Sequence, residues 1–210
     1  MSAAGPFLVA HRAGNDLAAL RRAEAAGAGL IEADVHLYAG RLEVRHLKTV
    51  GPLPILWDRW YVRRPGRPRL ELAALLAAAA PDTALMLDLK GVDPRLPRRV
   101  AAELARVRPG VPVTVCARRW RLLEPLDGMA GVRIVHSVGS RRQLRALRRR
   151  FRGRRLGGVS IHRRLLDAAT VADLRRRADL VLTWPVTTAE DARRLGAWGV
   201  DGVIREGLAA

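Results

Sequence analysis

Three carboxylates and two imidazoles crowd one short stretch of the chain. In the segment 29–46, GLIEADVHLYAGRLEVRH, Glu32, Asp34 and His36 alternate with Ile31, Ala33 and Val35. Residues of a strand point alternately to opposite faces, so one face carries two acids and an imidazole and the other carries aliphatic side chains. Only Ala39, Gly40 and Arg41 intervene before a second alternation at Leu42, Val44 and His46. Three residues are too few for a parallel crossover, so the two arms form an antiparallel hairpin. The return arm brings His46 back toward Glu32 and Asp34. Carboxylates suit a hard divalent cation, and an imidazole beside them can carry a proton.

The other groups capable of chemistry also sit at strand ends. The apolar run 7–10 delivers His11 and Arg12, the strand 84–90 puts Met86, Asp88 and Lys90 on one face, and the strand 180–185 carries Trp184. Further strands are expected at 111–117, 132–137, 158–162 and 200–205. Helices are expected at 17–26 (capped by Asp16 and closed by Gly27), 70–80, 97–106, 119–126, 141–151, 168–177 and 188–197. Apart from the hairpin return arm, the strands alternate with helices. The pattern predicts an α/β chain: a compact (β/α)8 TIM-type barrel with an extra antiparallel β-hairpin arm after the second strand. One domain is expected over 1–210. An open doubly wound sheet would need a glycine-rich phosphate turn after the first strand, and HRAGN is not that fingerprint. In such a barrel, functional groups collect at the C-terminal ends of the strands, where His11, Arg12, Glu32, Asp34, Asp88, Lys90 and Trp184 all fall. The Pro-, Gly- and Arg-rich segment 47–69 reads as a long loop whose Trp57, Trp60 and Tyr61 either cover the mouth or form a satellite cluster.

Composition bounds the function classes. The 210 residues are 49% hydrophobic, enough for a substantial core. The apolar run 72–80 is too short to span a bilayer, and MSAAGPFLVAHR lacks the basic start and apolar stretch of a secretory signal. Cys116 is the sole cysteine and forms no internal disulfide, which suits a cytoplasmic protein. The formal charge is +18, yet all but two of the 38 basic residues are arginine, the exceptions being Lys48 and Lys90. That skew, with abundant alanine, reads as GC-rich coding. No specific nucleic-acid partner is expected, only weak attraction to anionic surfaces and faster encounter with phosphate-bearing molecules.

Taken in order, HR at 11–12, AGAGLIEADVHL at 26–37, His46, LMLDLKG at 85–91, TWPV at 183–186 and GVDGVI at 199–204 resemble the glycerophosphodiester phosphodiesterases. The resemblance runs through nearly the whole chain. It implies a distorted barrel that hydrolyses a small-molecule glycerol phosphodiester to glycerol 3-phosphate and an alcohol such as choline or ethanolamine. It further implies that Glu32, Asp34 and Asp88 hold a divalent cation, Mg²⁺ or Ca²⁺. His11 and His46 would be the acid/base pair, Arg12 and Lys90 would hold phosphate oxygens, and Trp184 would line the substrate pocket. The chemistry agrees with those roles. Cations must neutralise charge growing on a pentacoordinate phosphorus, carboxylates suit a hard ion, arginine grips two oxygens, and imidazole titrates near neutrality.

The chain departs from that family at several points. Asp88 stands where Glu is usual, Leu47 where an acid often follows the second histidine, and Gly14-Asn15-Asp16 where a longer loop is usual. Arg205-Glu206 replaces a Thr-Asp ending, and no insertion domain follows the hairpin. A lysophospholipase D-like activity on the same barrel, a non-catalytic basic binder of nucleic acid or anionic surfaces, and a barrel without turnover are the competing readings. His36, His136 and His162 read as structural, Lys48 as a secondary substrate contact, and 141–151 as a solvated helix with Leu144, Leu147 and Phe151 inward.

Overall fold

A computed structural model describes residues 5–50, 53–58, 61–63 and 69–206. In chain order its strands are β1 (Phe7–Ala10), β2 (Leu30–Tyr38), β3 (Arg41–Val44), β4 (Lys48–Val50), β5 (Leu53–Asp58), β6 (Tyr61–Arg63), β7 (Leu85–Leu89), β8 (Val113–Ala117), β9 (Val132–Val138), β10 (Gly158–His162), β11 (Val181–Trp184) and β12 (Gly202–Arg205). The order β1-β12-β11-β10-β9-β8-β7-β2, with β1 also paired to β2, closes eight parallel strands into a barrel. The helices α1 (Leu17–Ala25), α2 (Leu72–Ala78), α3 (Leu96–Val107), α4 (Arg141–Arg150), α5 (Ala168–Arg177) and α6 (Ala189–Ala197) surround it. The TIM-type barrel expected from strand alternation is therefore the fold.

Alternation decides which side chains fill the barrel. Val9, Leu30, Met86, Cys116, Val135, Leu180, Leu182 and Ile204 point inward and form an apolar plug. Their sequence neighbours, such as Ile31, Leu87, Val115 and Val181, point outward and pack in the clusters beneath the helices. A polar group one or two pleats beyond the plug therefore emerges at the C-terminal mouth. The helices follow the same rule. On α4, Leu144 and Leu147 are buried and Phe151 packs against the same cluster, while the intervening arginines face solvent. Each buried leucine contributes roughly 1.5–3 kcal/mol. The Asp16 carboxylate caps α1 by accepting the Ala19 N–H at 2.8 Å.

The hairpin arm lies where the spacing predicts. Val35 pairs with Leu89 of β7 on one side and with Val44 of β3 on the other. So β3 takes the edge of β2 that β1 leaves after Ile31.

Two expectations fail. The segment expected as a loop contains a three-stranded antiparallel sheet, β4-β5-β6. Its strands are short and punctuated by Gly51, Pro52 and Pro54, turn residues that mask a weak alternation, and their pairing depends on neighbours rather than on local propensity. The helix expected at 119–126 is instead two 3-10 turns, Trp120–Leu122 and Glu124–Leu126. Pro125 has no N–H to donate, and its ring collides with the carbonyl four residues back, so an α-helix cannot run through it. Among the described residues, no helix is long and apolar enough to cross a membrane.

Candidate active site

The register of β2 against β7 assembles the acids. Glu32 lies beside Met86 and Asp34 beside Asp88, so the inward carboxylates of the two strands meet at one level. Glu32, Asp34 and Asp88 each offer an oxygen, and these oxygens lie within 4.8 Å of one another. The residue set expected to hold a cation is thus brought together, from strands more than fifty residues apart in sequence. Its chemistry fits a divalent ion. Oδ1 of Asp88 is buried without a hydrogen-bond partner. Burial, then the charges of Asp34 and Asp88, push the Glu32 carboxyl well above its ordinary range. Burial also raises Asp88, helped by Asp34 and opposed by Lys90. Three carboxylates in so dry a place call for more positive charge than the side chains supply.

Asp34 is the best-held of the three. Asn15 donates from Nδ2 to the Asp34 carboxylate and accepts the Asp34 backbone N–H at Oδ1, both at 2.8 Å. Asn15 thereby takes over the edge of β2 at the residue between the β1 and β3 pairings. The approach requires Gly14: a Cβ there would stand 2.7 Å from the Ala33 Cβ. Burial disfavours ionised Asp34, but hydrogen bonds from His46, Lys90 and Asn15, with the Lys90 charge, hold its carboxyl below the usual range. The Arg12 backbone sits at φ 58°, an uncommon left-handed conformation for a side-chain-bearing residue, and its N–H donates to Glu32 at 2.7 Å.

His11 and His46 each lie beside one of the acids. His11 Nε2 is 4.0 Å from Glu32. Burial and the Arg12 charge lower its pKa to about 4, so the ring is neutral at pH 7. His46 Nδ1 is 3.5 Å from Asp34. Its position depends on a buried network under the return arm. Arg45 Nε donates to Glu43 at 2.7 Å, Arg69 Nη1 reaches both Glu43 oxygens at 2.6 Å, and Arg45 Nη1 donates to the Leu47 carbonyl. The Arg45 N–H meanwhile donates to the Asp34 carbonyl at 3.0 Å.

Lys90 spans two of the acids. Its ammonium is 2.8 Å from Asp34 and pairs closely with Asp88. Burial opposes that charge, but Asp88, Asp34 and Glu32 outweigh burial and hold Lys90 above its ordinary pKa. Arg12 is tied to Glu206 at 2.8 Å, and the same Glu206 lies 3.4 Å from His11 Nδ1. Trp184 lines the mouth and meets His162 edge-on at 4.8 Å between centroids.

One cavity of about 680 Å³ is lined by His11, Arg12, Glu32, Asp88, Lys90 and Trp184 among others, whereas Asp34 and His46 are not among its lining residues. Cys116 closes its floor, kept a neutral thiol first by burial and then by the charges of Asp88 and Glu32. His36 is buried beyond the acids, its pKa lowered to about 3 by burial and by Arg45. His136 points out of the barrel and packs on Phe151 and Trp120. Lys48 opens β4 opposite Trp57. Trp60 and the side chains of Trp57 and Tyr61 lie outside the described residues. Asn15, Glu43, Arg118 and Glu206 are site or support residues that the sequence reading did not assign. Of these, Asn15 and Glu206 stand out in the sequence, as departures from the family's usual pattern.

Compared by sequence, the chain matches no family model and no curated protein. Compared by structure, it resembles a phosphodiesterase from Oleispira antarctica solved with its product sn-glycerol-3-phosphate, at 17% identity and a TM-score of 0.76 over 96% of this chain and 93% of that one. The fold is that of the glycerophosphodiester phosphodiesterases. The enzyme of that name from Thermotoga maritima matches at 16% identity and a TM-score of 0.75, over 96% of this chain and 95% of that chain. The one from Parabacteroides distasonis matches at 19% and 0.74, over 96% and 93%. This is the family that the ordered motifs resemble. At such identities the likeness speaks for the fold, and the chemistry is argued from the residues.

Proposed function

We propose that the chain is a phosphoric diester hydrolase that cleaves small glycerophosphodiesters to glycerol 3-phosphate and an alcohol. The observation that carries this reading is the convergence of Glu32, Asp34 and Asp88 at the barrel mouth, with one imidazole near Glu32 and another near Asp34. Those carboxylates would hold Mg²⁺ or Ca²⁺, hard ions that oxygen ligands suit. The bound ion supplies positive charge against the phosphate oxygens as negative charge builds on them.

The remaining work falls to the chain's own side chains. Arg12 and Lys90 hold phosphate oxygens, exchanging part of their present pairing with Glu206, Asp34 and Asp88 for the substrate's charge. One of His11 and His46 takes the proton of the attacking hydroxyl as the oxygen–phosphorus bond forms. The other returns a proton to the alkoxide as its bond to phosphorus breaks. Asp34 fixes the ring of His46, and Trp184 gives the substrate an aromatic wall. Residues 1–210 would act as one barrel unit, and the lone buried Cys116 suits work in the cytoplasm.

The test is release of glycerol 3-phosphate from the glycerol phosphodiesters of choline, glycerol and serine, with Mg²⁺ or Ca²⁺. Chelator should stop turnover, and His11→Ala or Glu32→Ala should lower it by about 100-fold or more. No turnover of any diester with either cation refutes the reading.

A further inference from the structure

The mouth is charged asymmetrically. The acids, His11, Arg12 and Lys90 come from β1, β2 and β7, on one side. On the next strand round from β7, the residue after β8 is Arg118, which the alternation from Thr114 through Cys116 places on the inward face. Its guanidinium lies along Gly139, just past β9. A Cβ at Gly139 would stand 3.0 Å from Nη2 and 3.4 Å from Cζ, so the bare backbone provides the slot that holds the group. Ser137 and Ser160 line the same cavity from the neighbouring strands.

Arg12 and Lys90 already face carboxylates. Arg118 pairs with no carboxylate among the described residues; only its backbone carbonyl is engaged, by Gln143. Its charge is felt at His162, whose pKa burial lowers first and Arg164, Arg163 and Arg118 lower further. An ordinary surface arginine is free to swing into solvent. Arg118 is exposed as a residue, but its guanidinium rests against the Gly139 backbone on the wall of the cavity, where an anion would gain two parallel hydrogen bonds.

We propose that Arg118 selects diesters whose leaving alcohol carries an anionic group of its own, a carboxylate or a phosphate monoester. This rests on the hydrolase reading above. A diester seated on the carboxylate cluster would extend its leaving group past the end of β7 toward Arg118, which attracts an anion there and repels a cationic alcohol such as choline. The serine hydroxyls can donate to the same anion.

The experiment compares three diesters with one leaving skeleton. In each, sn-glycerol 3-phosphate is esterified to glycerol (neutral), to glyceric acid (carboxylate) or to glycerol phosphate (phosphate monoester), and kcat/KM is measured with Mg²⁺. At least one anionic diester should exceed the neutral one by about 10- to 100-fold, mainly through KM. Which of the two leads identifies the anion. In Arg118→Met that ratio should fall toward one, and Arg118→Lys should keep part of it. A ratio unchanged by Arg118→Met overturns the proposal. So does an equal loss on all three substrates, which would put Arg118 on the scissile phosphate. If none of the three is cleaved, the hydrolase reading fails. Calorimetric binding of the same diesters to the wild-type chain and Arg118→Met then decides the anion preference separately, and equal affinities would refute it.

Discussion

Removing the carboxamide of Asn15 tests how the site is held. The side chain makes two 2.8 Å hydrogen bonds to Asp34, one to the ionised carboxylate and one from the backbone N–H. A hydrogen bond to a charged acceptor contributes about 1.5–3 kcal/mol, and a buried N–H left unpaired costs about 1–3 kcal/mol. Water can enter the gap left by Asn15→Ala and recover part of this, so the expected loss is about 3 kcal/mol. For a chain of this size about 2–4 °C of melting temperature corresponds to each kcal/mol, a fall of about 6–12 °C. The assay is thermal and urea unfolding in chelator, which isolates the protein's own interactions. Asn15→Asp sharpens the test. It keeps the acceptor for the Asp34 N–H but sets a second carboxylate against the first, so each raises the other's pKa. Such a pair loses stability as pH rises through its raised value, and the defect should be larger at pH 8 than at pH 5. Added Ca²⁺ should relieve it. A loss below about 1 kcal/mol in Asn15→Ala, with no pH dependence in Asn15→Asp, would show that the edge of β2 at Asp34 is held by something else.

Two further outcomes follow from buried groups away from the acids. Glu43→Gln leaves Arg45 and Arg69 without their shared counter-ion beneath the arm that carries His46. Breaking a buried pair on one side typically costs about 3–5 kcal/mol, and Gln retains one acceptor, so a loss of about 2–4 kcal/mol in urea is expected, with kcat falling more than KM changes. A shift under about 0.5 kcal/mol would remove Glu43 as the anchor of that arm. His136 has its pKa lowered from 6.5 to about 4, first by burial. The unfolded chain therefore binds the extra proton in that window, so stability is full above pH 6.5 and declines toward pH 4, by up to about 3 kcal/mol. Unfolding measured across that range should flatten in His136→Phe, and an unaltered slope would assign the acid sensitivity to other groups.

What could be read from the sequence was what is local and periodic. Alternation along 31–36 and 84–90 puts Glu32, Asp34, Asp88 and Lys90 on inward faces whatever the rest of the chain does, because a strand has a two-residue repeat. The regular succession of strands and helices was enough for the barrel, and the three-residue turn was enough for the hairpin. The failures at 47–69 and 119–126 are also local in origin. Pro125 vetoes a helix that the apolar spacing favours, and the short β4-β5-β6 strands exist through pairing that no single segment announces.

Only the closed barrel decided who meets whom. Asp34 finds Asp88 because of the β2–β7 register, and Asn15 finds Asp34 because Gly14 lets a turn press against β2. Arg12 finds Glu206 because β12 closes on β1. Arg118 rests where it does because Gly139, just past the end of β9, has no side chain. A side chain's face is fixed by its neighbours in sequence, which a string of letters records. Its partners are fixed by register and closure, and those are settled by packing across the whole chain at once.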